Sequence, residues 1–420
     1  MQPWAAIRER IETQLRRRLG QPRIPCFDYA INHRGRVVAA GRDGWASVEE
    51  RLPLRAHGLF RIFSMTKPIT SVTALMLVDE GRIALDEPVA RILPELGALR
   101  VFDGLKADGT LRTRPAVNAI TLRHLLTHTA GLTYHFMTEP GPDGQQQEGP
   151  VQRLYRARGI KPAAARIAAL ASDAPPVHTG AELLEALSSI PLVSEPGAQF
   201  HYSIATDVVG LLIERLTGAS LGTVLHARVF EPLGMKDTGF QVPPAHADRF
   251  TSNYRFTPLG PQLVDTLRDS EYLQPQSFES GGGGLVSTTA DYVQFLEMLR
   301  AGGELGGQRF LSPALCAQLC RPQLSPEVLA PSNLEVSPGT GFGLGLGIYE
   351  NKRLANTPVA AGSFFWNGAA GSCCWVDPRH DLSAVIMTQL LENDTDRLDR
   401  VMHREIYDPD GELRLPKAPG

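Results

Sequence analysis

A serine stands three residues before a lysine in the stretch Phe63-Ser64-Met65-Thr66-Lys67-Pro68-Ile69-Thr70. A serine hydroxyl is a weak nucleophile until a base takes its proton, and a lysine kept out of water can act as that base. Residues three apart share a helix face, so in a helix Lys67 projects beside the Ser64 hydroxyl. The chain has six lysines, at 67, 106, 161, 236, 352 and 417, and otherwise takes its cations from arginine. Arginine does not give up its proton, which makes lysine at this position a pointed choice. The pattern is short enough to arise by chance, so the rest of the chain has to support it.

Pro68 has no amide hydrogen and fits only the first turn of a helix, which sets the helix start near Ser64. The run 69–78 is apolar on nearly every side, as in a helix buried in a core, and Glu80-Gly81 supplies a stop. Residues 59–63 read as a short strand leading into it. Upstream, Trp4, Ile7, Ile11, Leu15 and Leu19 recur at helical spacing, and 26–32 and 36–40 form a hairpin about His33-Arg34-Gly35. From Asp86 short helical patterns alternate with proline and glycine, as at 121–128 and 181–187. The polar segment 139–150 is expected to be a mobile loop. Ile204, Val208, Leu211, Leu212 and Leu216 form a helical stripe capped by Ser203 and closed by Gly218. A helix at 289–299 precedes apolar runs at 342–349, 358–366, 371–376 and 382–389, spaced like an antiparallel meander. A last helix covers 395–407. The expected fold class is α+β: an antiparallel sheet flanked by helices, from residues 1–85 and 281–420, plus a mainly helical lobe, 86–280. The active site is expected in the cleft between them.

A chain of 420 residues exceeds one ordinary core, in keeping with two lobes. A net charge of -3 makes no electrostatic case for nucleic acid or an anionic membrane. The N-terminal helix has no apolar segment of signal-peptide type, and no window reaches the length of a membrane span. Five scattered cysteines, at 26, 316, 320, 373 and 374, form no CxxC pair, so a reducing compartment, the cytoplasm, is expected. Composition is silent on oligomeric state.

Four other patterns compete for chemistry. Gly218-Ala219-Ser220-Leu221-Gly222 matches G-x-S-x-G, but that chemistry needs a strand before the serine, and here a helix ends there. His124 and His128 are four apart, yet the glutamate of H-E-x-x-H and a third ligand are missing, so no metal is expected. The glycine-rich 341–347 continues as strand rather than helix, against a nucleotide site. Cys373 and Cys374 fall on opposite faces of a strand.

Taken together, LFRIFSMTK at 59–67, ITLRHLLTHTAGL at 120–132, YSIATDVVG at 202–210, FEPLGM at 230–235, GGGGLVST at 281–288 and FWNGAAG at 365–371 resemble serine hydrolases of the class C β-lactamase and penicillin-binding-protein fold. The subgroup resembled is the family VIII carboxylesterases. The resemblance implies a β-lactamase/transpeptidase-like fold with Ser64 as nucleophile, Lys67 as the motif lysine and Tyr202 as the tyrosine of Y-x-N. It places Trp366-Asn367-Gly368 where β-lactamases carry K-T-G, and implies an oxyanion hole from the backbone amides of Ser64 and Ala369. Ile204 replaces an asparagine, and Trp366 a lysine, that hold the amide and carboxylate of β-lactams. Losing both favours a small neutral ester. The expected reaction passes through an acyl-Ser64 intermediate, with Tyr202 or Lys67 as base, and needs no metal or organic cofactor. Acyl transfer to another acceptor, hydrolysis of amides, D-peptides or, weakly, β-lactams, and a non-catalytic binding role remain as alternatives.

Overall fold

Strands near both chain ends carry apolar residues at successive positions, which demands cover on both faces of the sheet they form. The computed structural model describes residues 4–20, 23–140, 145–161, 177–329, 338–392 and 397–408. Its main sheet has eight antiparallel strands: Thr340–Phe342, Gly347–Tyr349, Phe364–Asn367, Cys373–Asp377, Leu382–Met387, Cys26–His33, Arg36–Ser47 and Leu52–Pro53, in that spatial order. The C-terminal meander joins the N-terminal hairpin where Tyr29 lies opposite Ile386 and Ile31 opposite Ala384.

Alternation along these strands feeds two cores. Tyr29, Ile31, Cys373, Trp375, Ala384 and Ile386 pack on Ile7, Ile11 and Leu15 of the helix Trp4–Gly20, and on Met402 and Ile406 of Leu398–Tyr407. Ala30, Cys374, Val376, Val385 and Met387 face the helices Thr289–Arg300 and Thr66–Asp79. Each fully buried aliphatic side chain contributes about 1.5–3 kcal/mol relative to exposure. The helix Thr66–Asp79 is therefore held from all sides: residues 66–75 and 77 are all buried. Two of its threonine hydroxyls are satisfied, Thr73 Oγ1 donating to the Ile69 carbonyl at 3.0 Å and Thr70 Oγ1 to the Gly281 carbonyl at 2.8 Å. Gly81, at φ +69°, ends it as expected.

Several boundaries differ from the sequence reading. The second hairpin strand continues to Ser47. The expected strand at 59–63 shrinks to Phe60–Arg61, because Phe63 turns to φ +44°. The run 342–349 is a hairpin, Thr340–Phe342 with Gly347–Tyr349. Its turn passes through Gly345 at φ +101°, where a Cβ would meet Ser71 Oγ at 2.2 Å. The helix expected at 121–128 stops at Leu126. The mainly helical middle also carries the hairpin Arg100–Leu105 with Leu111–Pro115. In 139–150 the short strand Gln146–Glu148 pairs with Thr138–Pro140, and residues 141–144 lie outside the described residues. The last helix is Leu398–Tyr407, and the expected start at Thr395 lies outside them too. No single described helix is long and apolar enough to cross a membrane.

Candidate active site

Ser64 sits in a tight 3-10 turn, Phe63–Met65, that runs directly into Thr66–Asp79. Positive φ is costly for a bulky residue such as Phe63. Packing of its ring against Ala370 and Leu391 holds it there. The turn swings Ser64 out of the strand direction and leaves it half-buried at the mouth of the helix.

Two groups converge on Ser64. Tyr202 Oη lies 2.7 Å from Ser64 Oγ. Lys67 Nζ, only 1% exposed as a residue, lies 3.3 Å from the same oxygen. The lysine also donates to Tyr134 Oη at 3.1 Å and to the Gly282 carbonyl at 2.7 Å. Its Nζ stands 4.7 Å from the centre of the Tyr202 ring, a cation–π distance. An ammonium has three hydrogens to donate, and Ser64 Oγ, Tyr134 Oη and the Gly282 carbonyl are placed to accept them. Tyr202 itself lies just ahead of the helix Ala205–Thr217. Ile204 is the N-cap position, one residue later than the expected Ser203, whose hydroxyl nevertheless accepts from the Ala205 amide at 3.3 Å.

The Trp366–Ala369 stretch closes the other side. Side chains alternate along Phe364–Asn367, so Trp366 and Asn367 cannot face the same way. Asn367, Gly368 and Ala369 line a cavity of about 310 Å³ together with Ser64, Tyr202 and Phe136. Trp366 and Ile204, expected to contact substrate, are not among the lining residues. They are 1% and 3% exposed, and the Trp366 ring packs 5.8 Å from Tyr202 and 5.4 Å from Phe342. The Gly368 amide donates to the Ser372 carbonyl at 2.7 Å, and that of Gly371 to the Gly368 carbonyl at 3.0 Å. This turn presents the exposed Ala369 at the cavity. A Cβ on Gly368 would stand 2.5 Å from the Ile62 carbonyl, so the strand end presses directly on the backbone beside the Ser64 turn.

The histidines have other work. His124 closes a capping box with Thr121, its Nδ1 accepting from the Thr121 amide. His128 lies beyond the helix end at φ +54°, buried against Tyr202 with rings 4.9 Å apart. Burial first, then the Lys67 charge, hold its imidazole well below the ordinary range, so it is neutral at pH 7. Ser220 is exposed and caps the helix Leu221–Leu225, accepting from the Thr223 amide.

Sequence reasoning missed Tyr134, Phe136 and Asp207. Tyr134 follows two residues after the ITLRHLLTHTAGL stretch and stacks on Phe136 with ring centres 4.9 Å apart. Asp207 carried a usable signal: it is an acid inside the apolar stripe of its helix. It is 4% exposed, and its Oδ1 accepts from Ser280 Oγ and, at 3.1 Å, from the Gly282 amide. Burial raises its pKa above the usual carboxylate value, against the opposing pull of Lys67 and these two donors.

A buried amine and a phenol meeting at one serine hydroxyl, beneath an antiparallel sheet with helices on both faces, define a serine hydrolase of the β-lactamase/transpeptidase-like fold. The chain belongs to the beta-lactamase family, whose profile matches residues 9–407. It is similar to the esterase EstB of Burkholderia gladioli, 31% identical over 399 residues and covering 91% of each chain. It also resembles the monacolin J acid methylbutanoyltransferase of Aspergillus terreus, 32% identical over 298 residues, 69% of this chain and 64% of that one. Among solved structures, EstCE1, described as a hydrolase with promiscuous acyltransferase activity, superimposes with a TM-score of 0.76 at 28% identity. That match covers 96% of this chain and 99% of the other.

Proposed function

We propose that this protein is a carboxylesterase of the family VIII type that cleaves small neutral esters through an acyl-Ser64 intermediate. The observation that carries the reading is the convergence of Tyr202 Oη and Lys67 Nζ on Ser64 Oγ, at 2.7 and 3.3 Å. In this reading Tyr202 or Lys67 takes the Ser64 proton as the hydroxyl attacks the ester carbonyl, and returns it to the departing alcohol. Water then cleaves the acyl-enzyme by the reverse relay. The Ser64 and Ala369 amides hold the oxyanion. Ser64 and Ala369 border the same cavity, which supports that role. Asn367 and Gly368 form the neighbouring wall. Trp366 and Ile204 act from behind, as apolar backing for Tyr202 rather than as substrate contacts. The chain works as two lobes, 1–85 with 281–420 and 86–280, with substrate between them.

A cavity of about 310 Å³ suits a short acyl group with a modest alcohol. With Ile204 and Trp366 turned away from the cavity, neither position offers an anchor for the amide or carboxylate of a β-lactam, which favours neutral esters. The deciding experiment is intact-mass detection of an acyl adduct with short p-nitrophenyl esters, followed by mapping of the modified peptide. An adduct on Ser64, and its loss in Ser64→Ala, is the expected result; turnover surviving that substitution rejects the reading. Acyl transfer is the second reading, supported by the transferase relative and by the transferase activity named for EstCE1. Adding an acceptor alcohol and measuring the ratio of new ester to free acid separates the two.

A further inference from the structure

The helix that begins just after Tyr202 carries a buried acid, Asp207, that the proposed chemistry leaves without a task. Its first contact is with the glycine-rich segment 281–284. Asp207 Oδ1 accepts from Ser280 Oγ and from the Gly282 amide. The approach is close: a Cβ on Gly282 would stand 2.4 Å from Asp207 Oδ2, and one on Gly281 2.8 Å from the Thr206 carbonyl. The next contact points the other way. The Gly282 carbonyl receives Lys67 Nζ at 2.7 Å, closer than Tyr134 Oη at 3.1 Å or Ser64 Oγ at 3.3 Å. One residue thus takes the carboxylate on its N–H and the ammonium on its C=O.

We propose that Asp207 is a positioning residue for the acyl transfer: it fixes Gly282 so that the Gly282 carbonyl holds the Lys67 amine against Ser64. The inference rests on the assignment of Ser64 and Lys67 as the reacting pair. It also ties the amine to the phenol, because the helix start that sets Tyr202 sets Asp207 five residues later. Catalytic groups tolerate little displacement, and their supports matter accordingly. Lys67 is the charged group acting on Asp207. Around Lys67 stand Tyr134, Tyr202 and the neutral His128. From the glycine segment come Ser280 Oγ and backbone alone. A competing account gives Asp207 a structural part only, as an acid in the first turn of its helix.

Asp207→Asn keeps the size and one oxygen but removes the charge. Hydrolysis of a short p-nitrophenyl ester is expected to lose about 10- to 100-fold in kcat, with KM changed less than about twofold. Removing an anion lowers the pKa of a nearby ammonium, so the limb of the kcat profile that Lys67 governs moves to lower pH. Gly282→Ala drives a methyl into the carboxylate and is expected to cost kcat by about tenfold or more. In the Asp207→Ala background that methyl has room, and the added cost of Gly282→Ala falls below about threefold. Near-ultraviolet circular dichroism and thermal midpoints report the folded fraction of each variant. The inference is overturned if Asp207→Asn keeps wild-type kcat and pH profile, or if its loss equals the loss of folded protein. Should Asp207→Ala not fold, the same cycle is run on Asp207→Asn and Ser280→Ala. Fully multiplicative penalties there overturn it equally. Turnover that persists in Ser64→Ala instead removes the assignment on which the proposal stands, a distinct outcome.

Discussion

Ser64 and Ser220 both stand at the start of a helix and both lie in a recognised serine motif, yet the fold uses them in opposite ways. Ser220 is a solvent-exposed N-cap whose oxygen is engaged by the Thr223 amide, and no amine or phenol contacts it among the described residues. Ser64 follows a residue held at positive φ, and its oxygen faces a buried amine and a phenol. The reactivity of a serine thus resides in what surrounds it. A motif written in one dimension specifies those surroundings only when they are its own neighbours, as Lys67 is.

The contrast can be broken by substitution. Ser64→Ala is expected to remove ester turnover, by about 10⁴-fold or more, while leaving the fold intact; a p-nitrophenyl ester assay beside a thermal melt checks both. Tyr202→Phe deletes only the oxygen 2.7 Å from Ser64 and is expected to cost about 10²- to 10⁴-fold in kcat, with KM nearly kept. Acidification sharpens the difference in surroundings. His201, next to Tyr202, and His403, under the sheet, are held neutral by burial, each lowered to about 4 from an ordinary value near 6.5. A depressed histidine contributes fully above the unfolded pKa, and that stability is lost as pH falls from about 6.5 towards 4, where only the unfolded chain takes the proton. Thermal midpoints are therefore expected to fall across that window, and His201→Gln to flatten the fall. Ser220→Ala should have the smallest effect: about 0.5–2 kcal/mol of stability from the lost cap, with turnover retained.

Sequence carried the elements whose pattern is local. The S-x-x-K pair, the apolar helix behind it and the alternating strands at both ends are each written within a few residues. So is the Gly218 stop, found at φ +73°. What sequence did not carry depends on contacts between distant segments. Tyr134 matters because it meets Lys67 across 67 positions, and Gly282 because it meets the same amine across 215. Neither residue type announces such a meeting. The readings of Trp366 and Ile204 as substrate contacts came from alignment by motif, which gives a position along the chain. The inward turn of Trp366 is set by strand alternation and by its place beside Tyr202 and Phe342. Phenylalanine favours strands, but packing against Ala370 and Leu391 overrides that preference at Phe63, the last residue of the strand expected at 59–63.

The abutment of Gly368 on the Ile62 carbonyl has a consequence for how this enzyme can diversify. Two main chains already in contact leave no slack, so the slot between Ser64 and Ala369 has a set width that side-chain replacement does not tune. Latitude for new substrates lies instead with Phe136, Leu390 and Leu398, whose side chains border the same cavity. Libraries built at those three positions should yield altered selectivity, whereas libraries at 62 or 368 should yield mostly inert protein.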